Sequence, residues 1–158
     1  MLYCPLFEIP TKNALLLALL RHRIIEMNCT YPEYVELVEN LGQAGLILIL
    51  NRLQLTGEKP FTWAIVLSVK GQEAAFKLWC CLAPHYQNLP PLERMTRMAL
   101  TACDGFITDD GRVWLQRFEG RDMELSFTTS PAILDKLVQQ RLIAYQPDQV
   151  CWVWQPPS

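Results

Sequence analysis

The run "CCLAPH" places Cys80 and Cys81 close before His85, one of two histidines in the chain. A zinc site wants ligand pairs about two to four residues apart, usually twice over, so that the thiolates converge on one ion. Adjacent cysteines on a helix diverge, and there is no second pair, so these read as structural thiols and no metal is expected. A Cys–His nucleophile pair has no better support. "TACDGFITDDG" gathers Asp104, Asp109 and Asp110. It lacks the alternating oxygen ligands and closing Glu of a calcium loop, and Asp-Asp-Gly is ordinary hairpin chemistry. "TGEK" has one glycine and cannot cradle phosphates. Asp122 and Glu124 share a strand face and read as solvated. No residue is put forward as catalytic, no cofactor is implied, and the chain is not expected to be an enzyme.

Two other groups have the chemistry of binding. Glu33, Glu36 and Glu39 recur every third residue and would line one side of a helix, an acidic ridge fit for a basic partner. Trp152 and Trp154 share a strand face with Val150. That face either closes the core or, if exposed, anchors a protein contact, because Trp is enriched at interface hot spots.

The elements that must position these groups follow from pattern. Residues 12–27 read as a first helix, with Asn13 as its cap. "TYPEYVELVENLG" reads as a second, with Thr30 at the N-cap, Glu33 at capping-box spacing and Gly42 as its stop. "GLILILNRLQL", residues 46–55 in the main, has no diagnostic period and is read as helix. "FTWAIVLSV" is a strand after the turn "TGEKP", with Phe61, Trp63, Ile65, Leu67 and Val69 on one face. "GQEAAFKLWCCLA" is a helix stopped by Pro84.

"APHYQNLPP" is the one convincing linker. It divides a mostly helical part with a short β element, residues 1–84, from an α+β part, residues 92–158; the two can form one compact domain. After it, "LERMTRMALTAC" turns Leu92, Met95, Ala99 and Ala102 inward and Arg94, Arg97 and Thr101 outward. "GFIT", "RVWLQRF" and "MELSFTT" make a three-stranded antiparallel meander. Met123, Leu125 and Phe127 form its dry face.

"SPAILDKLVQQRLIAYQPDQVCWVW" then reads as a helix and a hairpin, with Ser130 as N-cap and Pro131 at the first helical position. Ile133, Leu134, Leu137, Val138, Leu142 and Ile143 make its apolar stripe. Lys136, Gln139, Gln140 and Arg141 remain on the outer side, with the chemistry to touch base edges or phosphates. These 25 or so residues resemble the recognition helix and wing of a winged helix. A fainter resemblance lies upstream, where "YPEYVELVENLGQAGLILILNRL" is followed by "VKGQEAAFKLW". The resemblance implies a DNA-binding regulator contacted through those four residues.

Composition limits these readings. The chain of 158 residues is 51% hydrophobic and 19% charged, a globular balance. Its net charge is −2, and neither half is a basic arm, which disfavours nucleic acid as the partner. "ALLLALL" is too short to span a bilayer and is stopped by "RHR", with no cleavage-site pattern of a secretory signal. The six cysteines have no framework spacing, so reduced thiols and a soluble cytoplasmic chain are expected. The expectation is therefore an α+β protein with a mostly helical N-terminal part packed on a small antiparallel sheet with covering helices, and winged-helix-like elements. Its function is expected to be protein interaction, as adaptor, inhibitor or regulatory subunit, without a membrane partner. Partner identity and oligomeric state are open.

Overall fold

A computed structural model describes residues 2–3, 11–28, 31–53 and 62–156. These form helices and two largely antiparallel sheets, an α+β protein. The chain divides into two compact units, Met1–Leu78 and Trp79–Ser158, and the division falls inside a helix rather than at a loop.

In the first unit, α1 spans Lys12–His22 and is capped by Thr11, whose hydroxyl accepts from the Ala14 amide. Thr11, not Asn13, is the cap. The helix stops at Arg23, which takes φ 66°, instead of running on to residue 27. The next residues open with two isoleucines and pair with another strand, so β2, Ile24–Asn28, replaces the expected last turn. Helix α2 spans Pro32–Gln43 with Pro at its first turn, and no side chain caps it. Thr30 lies outside the described residues. Gly42 sits within α2, and it is Gly45 that takes the left-handed conformation, φ 76°.

The apolar run read as helix is strand β3, Ile47–Leu53. It pairs antiparallel with β4, Thr62–Leu67, through Ile47↔Leu67, Leu48↔Val66 and Ile49↔Ile65, and the register shifts between Ile49 and Asn51. A run that is apolar throughout satisfies either period, and here cross-strand pairing with β4 decides it. Val69 opens the following helix instead of ending the strand, and Phe61 and the turn before it lie outside the described residues. With β1, Leu2–Tyr3, the order is β1-β2-β4-β3, and β1 is parallel to β2. Ile25, Met27, Ile47, Trp63, Ile65 and Leu67 are buried on one sheet face, with Leu15, Leu19, Tyr34 and Val38 of α1 and α2 in the same core. Helix α1 lies against β2 and β4, and α2 against β3.

Helix α3, Val69–Leu82, begins where Gly71 approaches the Leu46 carbonyl so closely that a Cβ would stand 1.8 Å from that oxygen. In the second unit, the segment read as a linker is held to α4, Pro91–Ala102. The Arg94 guanidinium donates to the carbonyls of Tyr86 and Gln87, and Arg97 lies 5.7 Å from the Tyr86 ring centroid. Ala102 is exposed rather than inward, and Cys103 takes the buried place. The meander is β5, Phe106–Thr108, β6, Arg112–Phe118, and β7, Arg121–Thr128. Its second turn holds Glu119 and Gly120 at φ 50° and 80°, both left-handed, as a type I′ hairpin requires.

Helix α5, Pro131–Gln139, is capped by Ser130, which accepts from the Ile133 amide. The closing hairpin, β8 Ile143–Gln146 and β9 Cys151–Trp154, does not project as a wing. Strand β9 pairs with β5, so the meander becomes a five-stranded sheet, β7-β6-β5-β9-β8. Ile107, Val113, Leu115, Leu125 and Phe127 are buried on one face of it, with Met95, Met98 and Ala99 of α4 and Leu137 of α5. Within the expected stripe of α5, Val138 is exposed and Leu137 is buried.

Candidate functional site

The acidic ridge is formed as read. Tyr34, Val38 and Leu41 are the buried side of α2, while Glu33, Glu36 and Glu39 are exposed. At 100° per residue the three glutamates centre on the direction opposite that buried side. The helix carries no Lys or Arg between Pro32 and Gln43, so its field is unopposed along its own length.

The strand beneath α2 adds a feature that sequence reasoning missed. β3 is the last strand of its sheet, and Leu48 and Leu50 are 54% and 58% exposed on the face turned away from the buried core. The signal was present as alternation within "ILIL", but it is only meaningful once the run is known to be a strand.

Trp152 and Trp154 follow the parity of Ile107 and Ile143, their cross-strand partners, and so lie on the side of the second sheet that is buried at its centre. Both are half-buried, and Trp152 meets Tyr145 edge to face at 5.1 Å. Val150 lies before the strand, in the turn. The opposite face of this sheet carries half-buried Phe106, Trp114 and Val153 as a cross-strand row, with the Arg112 guanidinium 5.8 Å from the Trp114 ring centroid. This row also went unnoticed, because its members come from three strands.

Of the residues assigned to a DNA-reading helix, Lys136 donates to both carboxylate oxygens of Glu93 at 3.0 Å, and Gln140 accepts from Arg97 at 3.0 Å. Gln139 and Arg141 are exposed, Arg141 beyond the end of α5 at φ 57°. Glu93, buried on α4 and bridged by both Lys136 and Arg97, had no sequence signal: an i,i+4 Glu–Arg pair normally lies in water.

The cysteines diverge. Cys80 is buried and Cys81 exposed, and among the described residues four thiols are free: Cys80, Cys81, Cys103 and Cys151. Burial pushes both Cys80 and Cys103 up to about 12, and nearby charge adds to it. Thiols so far from ionising are poor nucleophiles and poor ligands. Asp110 closes its hairpin, accepting from the Thr108 hydroxyl and the Arg112 amide, and these bonds hold its carboxyl below the usual range. Asp109 accepts from the Tyr145 hydroxyl at 3.3 Å. Desolvation first, and then that bond, raises the Tyr145 phenol. Asp122 faces Arg117 at 3.9 Å, with both side chains in water. Among the described residues no three His, Cys, Asp or Glu side chains come together as a metal site, and no helix is long and apolar enough to cross a membrane. Comparison of the chain with protein-family models, with curated proteins and with solved structures yields no match.

Proposed function

We propose that this chain is a non-catalytic protein-interaction module of the cytoplasm, serving as an adaptor, inhibitor or regulatory subunit. One observation carries the reading: the exposed glutamates of α2 and the exposed leucines of β3 belong to one unit, on elements that lie against each other. Exposed apolar side chains supply binding energy, and a one-signed field beside them supplies steering. Trp152 and Trp154, half-buried, are a second protein-facing group in this proposal.

The test begins with co-purification from the native host and continues with the purified partner. Replacing Glu33, Glu36 and Glu39 with Gln is expected to leave folding intact, since an exposed charge is worth at most about 1 kcal/mol. The on-rate is expected to fall and to lose much of its salt dependence. Matching on-rates for parent and variant at two salt concentrations would remove the ridge from the interface.

The alternative, DNA binding through α5, has less in its favour, because Lys136 and Gln140 already serve Glu93 and Arg97. An electrophoretic shift against generic duplex at low salt separates the two. Shifted duplex whose affinity falls in a Lys136→Ala, Arg141→Ala variant would restore the DNA reading.

A further inference from the structure

We propose that β3 is a strand-addition site for an extended partner segment whose side chains alternate between apolar and basic. The proposal rests on the interaction-module reading and names the partner's chemistry.

The main chain comes first. β3 ends its sheet, so one of its sides has no strand beside it. The Ser68 amide donates to the Leu46 carbonyl at 3.0 Å, and Leu48 lies opposite Val66. Hydrogen-bonded pairs alternate along an antiparallel ladder, so Leu46 and Leu48 bond inward to β4. The N–H and C=O groups of Ile47 and Ile49 therefore point to the free edge, spaced to meet an incoming strand. Beyond Ile49 the register shifts, and a bulge there bends the edge and ends the stretch that can pair. The docking length is thus short and its end is defined.

The side chains then specify the visitor. On one face of an added strand, alternate residues would lie beside Leu48 and Leu50, which favours apolar partners. On the other face they would lie toward α2, which packs on β3 and presents Glu33, Glu36 and Glu39 with no basic residue of its own. Lys or Arg at those positions is complementary; Asp or Glu is repelled. The same charge argues against a second copy of this chain as the occupant. Edge-to-edge pairing of two β3 strands would bring two acidic helices together with nothing basic on either to answer them.

The experiment uses the full chain, isotope-labelled, with two synthetic peptides of equal length, one alternating Val and Lys and the other Val and Glu. The Val-Lys peptide is expected to bind and to slow hydrogen exchange at the Ile47 and Ile49 amides, while the Val-Glu peptide does neither. Changing Glu33, Glu36 and Glu39 to Gln is expected to weaken binding about five-fold or more. Changing Leu48 and Leu50 to Lys, at exposed positions compatible with folding, is expected to abolish it. Equal binding of both peptides, protection elsewhere than Ile47 and Ile49, or no binding at millimolar peptide would overturn strand addition. So would self-association that protects the same amides without peptide. If the peptides fail while a purified partner still shows a ridge-dependent on-rate, strand addition is wrong and the interaction-module reading stands.

Discussion

The Lys136 ammonium sits 3.0 Å from each carboxylate oxygen of Glu93, tying α5 to α4 through a glutamate side chain that is 6% exposed. Arg97 approaches the same carboxylate at 3.3 Å from its own helix. One buried anion thus neutralises two cations. Glu93→Gln leaves both without it and is expected to cost about 2–3 kcal/mol in urea unfolding. Lys136→Met is expected to cost only about 1 kcal/mol, because 44% of the lysine side chain is in water and Arg97 still serves the glutamate. Equal losses in the two variants would mean that the carboxylate is not the centre of the cluster.

The thiols should separate by burial. Brief maleimide treatment of the native chain, read by peptide mass spectrometry, is expected to label Cys81 and to spare Cys80, Cys103 and Cys151. Because burial raises Cys80 and Cys103 from 9.0 to about 12, the unfolded chain loses these protons first as pH rises. Their contribution is complete below pH 9 and is lost as pH climbs from 9 toward 12, by roughly 1 kcal/mol per thiol for each pH unit. Cys80→Ala, Cys103→Ala should flatten that alkaline slope. An unchanged slope would contradict the assignment.

Val150 closes the last hairpin at φ 55°, with its amide donating to the Gln146 carbonyl at 2.8 Å. A β-branched residue there carries about 1–2 kcal/mol of strain, and with 51% of Val150 exposed little packing offsets it. Val150→Gly is expected to raise stability by about 1 kcal/mol, seen calorimetrically as a Tm rise of about 2–4 °C. A lower Tm would show that the side chain's contacts outweigh the backbone.

Two glycines on neighbouring elements should respond with opposite sign. Gly71→Ala drives a methyl into the Leu46 carbonyl and is expected to cost about 3 kcal/mol. Gly42→Ala meets nothing within 4 Å inside α2 and is expected to gain about 0.5–1 kcal/mol. Urea midpoints that move the same way would refute the contact at Leu46.

Local signals in the residues were enough for the α+β class, for the hydroxyl of Ser130 over the first turn of α5, for the Glu-Gly turn and for the alternation that buries Leu125 and Phe127. Each depends on near neighbours in the chain, where caps, turns and period act. The glutamate ridge of α2 was legible for the same reason, since helical spacing alone puts Glu33, Glu36 and Glu39 on one side. Tertiary structure decided the rest. "GLILILNRL" has no period to choose by, and pairing with Trp63, Ile65 and Leu67 makes it a strand whose alternate leucines are exposed. Residues 24–28 left the first helix for the same partner strand. β9 joined β5 across more than forty residues of chain, turning an apparent wing into the interior of a sheet. Glu93 found Lys136 over a similar separation. Contacts between residues so far apart in the chain leave no mark on local spacing, so which edge stays open and which charge is buried are settled only when the chain is packed.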